Sequence, residues 1–175
     1  MASGLIKDDL KNFLDEKYQE YNNIKFIRED PIQIPHLFTN KKDIEIAGFL
    51  TSIISWGNRK SIINSAKKMM NIMDYSPYDF IINSKYSEIK KLEFVHRTFN
   101  SIDFQFFLLS LKNIYTKYDS LEEVFIENKS EYMFDGISKF REIFFSIDHE
   151  KRTQKHISNP LKNSSCKRIN MFLRW

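Results

Sequence analysis

An all-α fold is what this sequence predicts, and three observations carry the prediction. Apolar residues recur at the three-and-four spacing of a helix along most of the chain. No stretch alternates with period two for long enough to make a sheet strand. Glycine and proline number only four each in 175 residues, too few for a turn-rich β sandwich, a collagen-like repeat or flexible linkers. The chain is 42% hydrophobic and 15% aromatic, with 16 Phe, more than a disordered chain carries. Its length suits one helical domain over residues 1–175.

Leu10, Phe13, Leu14, Tyr18 and Tyr21 stand at helical spacing and predict a first amphipathic helix. Residues 24–40 break the pattern. Pro31 and Pro35 restrict their predecessors, so an extended connector pinned by Ile32, Ile34 and Leu37 is expected there. Asp43 is placed to cap an apolar helix carrying Ile46, Ala47, Phe49, Leu50, Ile53 and Ile54. Gly57 ends or bends that helix, and a second follows with Ile62, Ile63, Ala66, Met69, Met70 and Met73. Ser76 and Pro77 supply a cap and a first-turn proline for a short segment around Phe80 and Ile81.

Ser101 is expected to cap a helix with Phe104, Phe107, Leu108, Leu111, Ile114 and Tyr115. Ser120 and Glu123 fit a capping box that opens a short helix with Val124 and Phe125. A longer helix is expected over residues 131–147, with Met133, Phe134, Ile137, Phe140 and Phe144 on one face. All these stripes read as core packing rather than as cofactor contacts. Residues 165–175 read as a last helix that reaches Trp175 without a glycine, a cap or a polar tail. Either it packs back onto the body or more protein covers Ile169, Phe172, Leu173 and Trp175. The second is the expectation, which makes the domain incomplete at its C-terminus.

Charge is distributed unevenly. Residues 151–175 hold Lys151, Arg152, Lys155, Lys162, Lys167, Arg168 and Arg174 and no acid, so against a total of +4 the first 150 residues sum to −3. A basic end on a mildly acidic body fits a polyanionic partner; a biased composition would produce the same block. The single cysteine, Cys166, excludes a disulfide framework, a multi-thiolate zinc site and a cysteine-held iron–sulfur cluster. His36, His96, His149 and His156 lack metal-ligand spacing, and no Gly-rich phosphate loop or nucleophile elbow occurs, so neither a metal nor a cofactor is expected. No apolar run approaches the roughly 20 residues of a membrane span. The first ten residues lack the regions of a secretion signal. A soluble cytoplasmic protein with no membrane partner is expected.

Two segments place polar and basic groups where a helix begins: residues 54–66 and residues 156–175. Helix N-termini offer free N–H donors to phosphate. Nearly the whole chain resembles an uncharacterised bacterial family of hypothetical proteins. The likeness runs through Asp30 and Pro31, Ile34 to His36, Asp43 to Gly48, Trp56 to Arg59, His96 to Phe99, His156 and residues 166–175. That family in turn resembles the helix-hairpin-helix DNA glycosylases. Ile54 and Ser55 followed by Asn64 and Ala66 match one of their helix pairs, and Lys167, Arg168, Ile169 and Asn170 stand where a Lys-Thr-Ala-Asn motif follows the hairpin.

The resemblance implies a duplex-DNA binder, and Lys167 as a Schiff-base nucleophile in base excision or abasic-site cleavage. It also implies phosphate or base contacts from Trp56, Asn58, Arg59, Lys155, Lys162, Arg168 and Asn170. Arg168 beside Lys167 and a helix N-terminus beneath it would favour the neutral amine that an imine requires. The glycosylase hairpin is Gly-rich, whereas residues 159–165 contain no glycine; Asn in the left-handed conformation and Ser donors are the expected substitutes. The superfamily's catalytic Asp lies beyond the hairpin helix. Structural alternatives stand beside each role: Lys167 as a solvated first-turn charge, Trp56 as the lid of its helix, His96 to Phe99 as a core edge rather than a phosphate contact. At the level of the whole chain the alternatives are a non-catalytic nucleic-acid-binding module and a helical protein-interaction domain.

Overall fold

The computed structural model describes the backbone of residues 2–127 and 129–175, with side chains from Lys7 onward. Ten α-helices are described: α1 (Ala2–Tyr21), α2 (Ile24–Ile27), α3 (Lys41–Ile54), α4 (Arg59–Ile72), α5 (Pro77–Asn83), α6 (Tyr86–Ile89), α7 (Ser101–Tyr115), α8 (Leu121–Ile126), α9 (Met133–Phe144) and α10 (Lys167–Arg174). Short 3-10 turns occupy Pro31–Gln33, Pro35–Leu37, Lys151–His156 and Pro160–Lys162. No strand forms among the described residues, and no described helix is long and apolar enough to cross a membrane. The all-α expectation holds.

The core is built round α3, whose nine consecutive residues from Ile46 to Ile54 are all buried. A helix that is apolar on every side must be enclosed by others. α7 is its counterpart, with Phe104, Phe107, Leu108, Leu111 and Ile114 fully buried. Phe49 of α3 is the hub. Its ring lies 5.9 Å from Phe107, 5.4 Å from both Phe140 and Phe144, and 5.7 Å from Phe172 of α10. Such offset and edge-on pairs add to the area each ring buries. The Phe172 ring of α10 packs against Gly48 of α3, where a Cβ would still find ordinary contact distance at 3.4 Å. With Ile169 buried as well, the last helix does pack back onto the body, whereas Leu173 stays partly exposed.

Several local expectations are corrected by capping chemistry. Residues 24–40 are not extended. Asn23 accepts from the Lys25 and Phe26 amides to start α2, and Asp30 accepts from Ile32 to start the first 3-10 turn. Each proline sits at the first position of its turn, where no N–H is needed. Ile34 is buried as expected but Leu37 is half exposed. Asn40, not Asp43, caps α3. Asp43 instead accepts the Tyr78 amide at 2.8 Å, and so performs for α5 the capping that Ser76 does not. Asn100, not Ser101, caps α7, in a reciprocal box with Asp103. Ser120 caps α8 as expected, but Glu123 accepts from Asp119 rather than from Ser120.

Apolar stripes also differ in what covers them. In α9, Ile137, Phe140 and Phe144 are buried while Met133 and Phe134 remain exposed. α1 forms, yet Leu10, Phe13, Leu14, Tyr18 and Tyr21 are each 50% to 55% exposed. That stripe is not core.

Candidate nucleic-acid interface

The C-terminus of α3, the N-termini of α4, α7 and α10, and the Lys151–His156 turn contribute to one cluster around Trp56. α3 ends at Ile54, and Gly57, at φ 101°, turns the chain through a conformation that suits glycine. Asn58 then caps α4 by accepting the Ser61 amide at 3.1 Å. Trp56, left between the two helices, is half-buried. His96 meets it edge-on at 5.3 Å, His156 lies nearly parallel at 6.3 Å, and the Arg168 guanidinium sits 5.0 Å over its ring.

Arg168 also donates Nη1 to the Ile53 carbonyl at 2.7 Å, so it satisfies one of the carbonyls that the end of α3 leaves free. Burial lowers its affinity for a proton from the ordinary arginine value, and the cation–π contact and carbonyl compensate the charge. Below Trp56, Asp103 is fully buried. Arg152 donates Nη1 to Asp103 at 2.8 Å and to Asn100 at 2.7 Å, and Nη2 to the Thr98 carbonyl at 3.1 Å. His156 Nε2 stands 3.1 Å from the same Asp103 oxygen. Burial alone would raise the Asp103 carboxyl, but His156, the Asn100 amide and Arg152 together hold it below the usual carboxylate range. The His96 imidazole is lowered by burial and by the charge of Arg97, against the opposing effect of the Trp56 backbone; Ser65 Oγ meets its Nδ1 at 2.8 Å.

The expected site residues divide between exposed and engaged. Lys155, Lys162 and Lys167 are exposed, with Lys167 on the first turn of α10. Asn170 donates to the Ser165 carbonyl at 2.8 Å and closes the turn leading into that helix. Arg59 is 3.6 Å from Asp30 and lies over Phe26 at 5.7 Å, and Asn58 is occupied by its cap. Trp56 and Arg168 are brought into contact. The glycine-free turn uses Asn163 at φ 57° and Cys166 at φ 48°, so the expected left-handed Asn is present. Asp103 and Arg152 were not singled out in the sequence as a pair. The one available signal was the Asn100–Asp103 spacing of a capping box; Glu150 and Asp148, closer to Arg152 in the sequence, are not its partners. No group of three metal-ligating side chains occurs among the described residues.

A family model described as a protein of unknown function, DUF2400, matches residues 30–175. The chain belongs to that family. Trp56, the Asp103 network and α10 all fall inside the DUF2400 match, whereas α1 and α2 precede it. No curated protein and no solved structure matches the chain. None of these comparisons supports the expected likeness to helix-hairpin-helix glycosylases.

Proposed function

We propose that this chain binds duplex nucleic acid through its basic, acid-free segments, and that it is a DNA-binding protein of helix-hairpin-helix glycosylase type. The observation that carries the proposal is the Arg168 contact with Trp56, which joins residues 55–73 to residues 151–175. Neither segment contains an acid. Lys60, Lys67 and Lys68 on α4, and Lys151, Lys155, Lys162, Lys167 and Arg174 from the C-terminal segment, are exposed. No ion pair engages these eight among the described residues. A shallow polar depression at the start of α4, lined by Asn58, Lys60, Ser61, Asn64, Ser65 and Lys68, supports the same reading.

Arg152 and Arg168 are engaged within the protein, so five cations of residues 151–175 remain for phosphate. If four or five of them meet phosphates, log K against log salt falls with a slope near −4, at about −0.9 per contact. Lys155→Ala with Lys162→Ala weakens all sequences alike, because phosphate contacts position rather than specify. A flat salt response removes the nucleic-acid reading and favours a protein-interaction domain, for which the uncovered stripe of α1 is the support.

Lyase chemistry is the second, finer reading, favoured by an exposed Lys167 on the first turn of α10 beside Arg168. Its amine would add to C1′ of an open abasic sugar, water would leave, and an imine would form that borohydride reduces to a stable link. Asp103 is buried and held by Arg152 and His156, so it is not free to assist a departing base. Weak trapping on a pre-formed abasic duplex, lost in Lys167→Ala, supports the lyase; trapping unchanged in that variant removes it. Salt-dependent binding without any trapping leaves the non-catalytic module.

A further inference from the structure

Arg97 stands on a turn between α6 and α7. Residues 96 to 99 make a tight turn in which the His96 amide donates to the Phe99 carbonyl at 2.8 Å and the Phe99 amide donates back to His96 at 2.9 Å. Only Arg97 and Thr98 lie between, both exposed, while His96 and Phe99 are buried. Arg97 has φ 54°, a left-handed conformation that is uncommon for a non-glycine residue and that persists where the surroundings over-determine it. Those surroundings are identifiable. Arg152 donates to the Thr98 carbonyl, and the same guanidinium is fixed by Asn100 and Asp103; His96 is held by Ser65 and Trp56.

The Arg97 guanidinium is exposed and lies beside the turn that follows Trp56. It lies across the Gly57 backbone so closely that a Cβ on Gly57 would be 2.6 Å from its Cζ and 2.8 Å from both terminal nitrogens. Gly57 thus serves the left-handed turn and leaves room for the cation. No carboxylate pairs with Arg97 among the described residues. A cation on a rigid two-residue turn, beside the Trp56 cluster and without a counter-charge, is prearranged for an anion from outside. We infer that Arg97 is a preset clamp for one phosphodiester of the bound nucleic acid, taken by the planar fork of the guanidinium. The inference rests on the nucleic-acid reading. It adds a contact outside the basic C-terminal segment, at a turn whose backbone is already strained into position.

The test is duplex binding across a salt series with wild type, Arg97→Gln and Arg97→Lys, beside thermal melts of all three. Arg97→Gln should melt close to wild type and lose about one contact from the salt slope, so that the affinity drop between 50 and 200 mM salt shrinks by about 3.5-fold. Arg97→Lys should recover the slope while binding more weakly than wild type, because an ammonium cannot make two parallel bonds. A slope in Arg97→Gln equal to a steep wild-type slope overturns the clamp and leaves the nucleic-acid reading standing. A flat wild-type response overturns both. If Arg97→Gln melts far below wild type, Arg97→Lys decides: a slope still steeper than that of Arg97→Gln upholds the clamp, and a slope no steeper overturns it.

Discussion

The first and last helices make an instructive pair. α1 runs for twenty residues with an apolar stripe of two leucines, a phenylalanine and two tyrosines, and that stripe is half open to solvent. α10 runs for eight residues, yet it buries Ile169 and seats Phe172 against Phe49. Length favours α1 as a stable element, but the shorter and more strongly amphipathic helix is the one incorporated. Two features of the body account for this. Phe49 gives the Phe172 ring an edge-on partner at 5.7 Å, and the Ile53 carbonyl gives Arg168 a fixed partner at the helix start. Burial follows from a complementary surface with a polar anchor, and an amphipathic stripe alone supplies neither.

The largest effect is expected where α10 and the core share one side chain. Phe49→Ala should cost about 3–5 kcal/mol in a denaturant titration, and amide exchange should show α10 loosening with it. Loss of the core alone, with α10 still protected, would separate the two. Next is the anchor. Arg168→Ala removes the partner of the Ile53 carbonyl and the cation over Trp56, so it should cost about 1–3 kcal/mol, whereas Lys167→Ala, one residue away and exposed, should stay within about 0.5 kcal/mol of wild type. Equal effects of the two would mean that the anchor does not hold the helix. The smallest effect belongs to α1: Leu10→Ala with Phe13→Ala should shift unfolding by no more than about 0.5 kcal/mol, as for surface substitutions in general. A loss several times larger would show that the stripe is covered in solution.

Much of the fold was legible in the sequence because it is local. The stripes of α3, α4 and α7, the burial of Ile34 and the left-handed Asn163 all follow from spacing or from one residue's conformational preference. The misplaced features depend on distant partners. Asp43 and Tyr78 are 35 positions apart, and Arg152 and Asp103 are 49 apart; no local pattern records such pairs. Asn100 and Ser101 are both good caps, and the choice falls to Asn100 because it is the residue the chain leaves extended. At the candidate site, the residue types were legible but their engagements were not. Trp56 and Arg168, far apart in the sequence, meet, while Asn58 and Arg59, expected as ligand contacts, are occupied within the protein.

The crossing bond from Asp43 has a kinetic meaning. α5 is seven residues long, below the length at which a helix persists unaided in water, and its own Ser76 contributes no side-chain bond to its start. The acceptor that orders its first turn belongs to α3. Until α3 has formed and Asp43 is in place, residues 76–83 lack that acceptor, so their helix is acquired as a consequence of the core rather than as a seed for it. Damage to the central helix therefore reaches α5 as well, by withdrawing a cap worth about 1 kcal/mol.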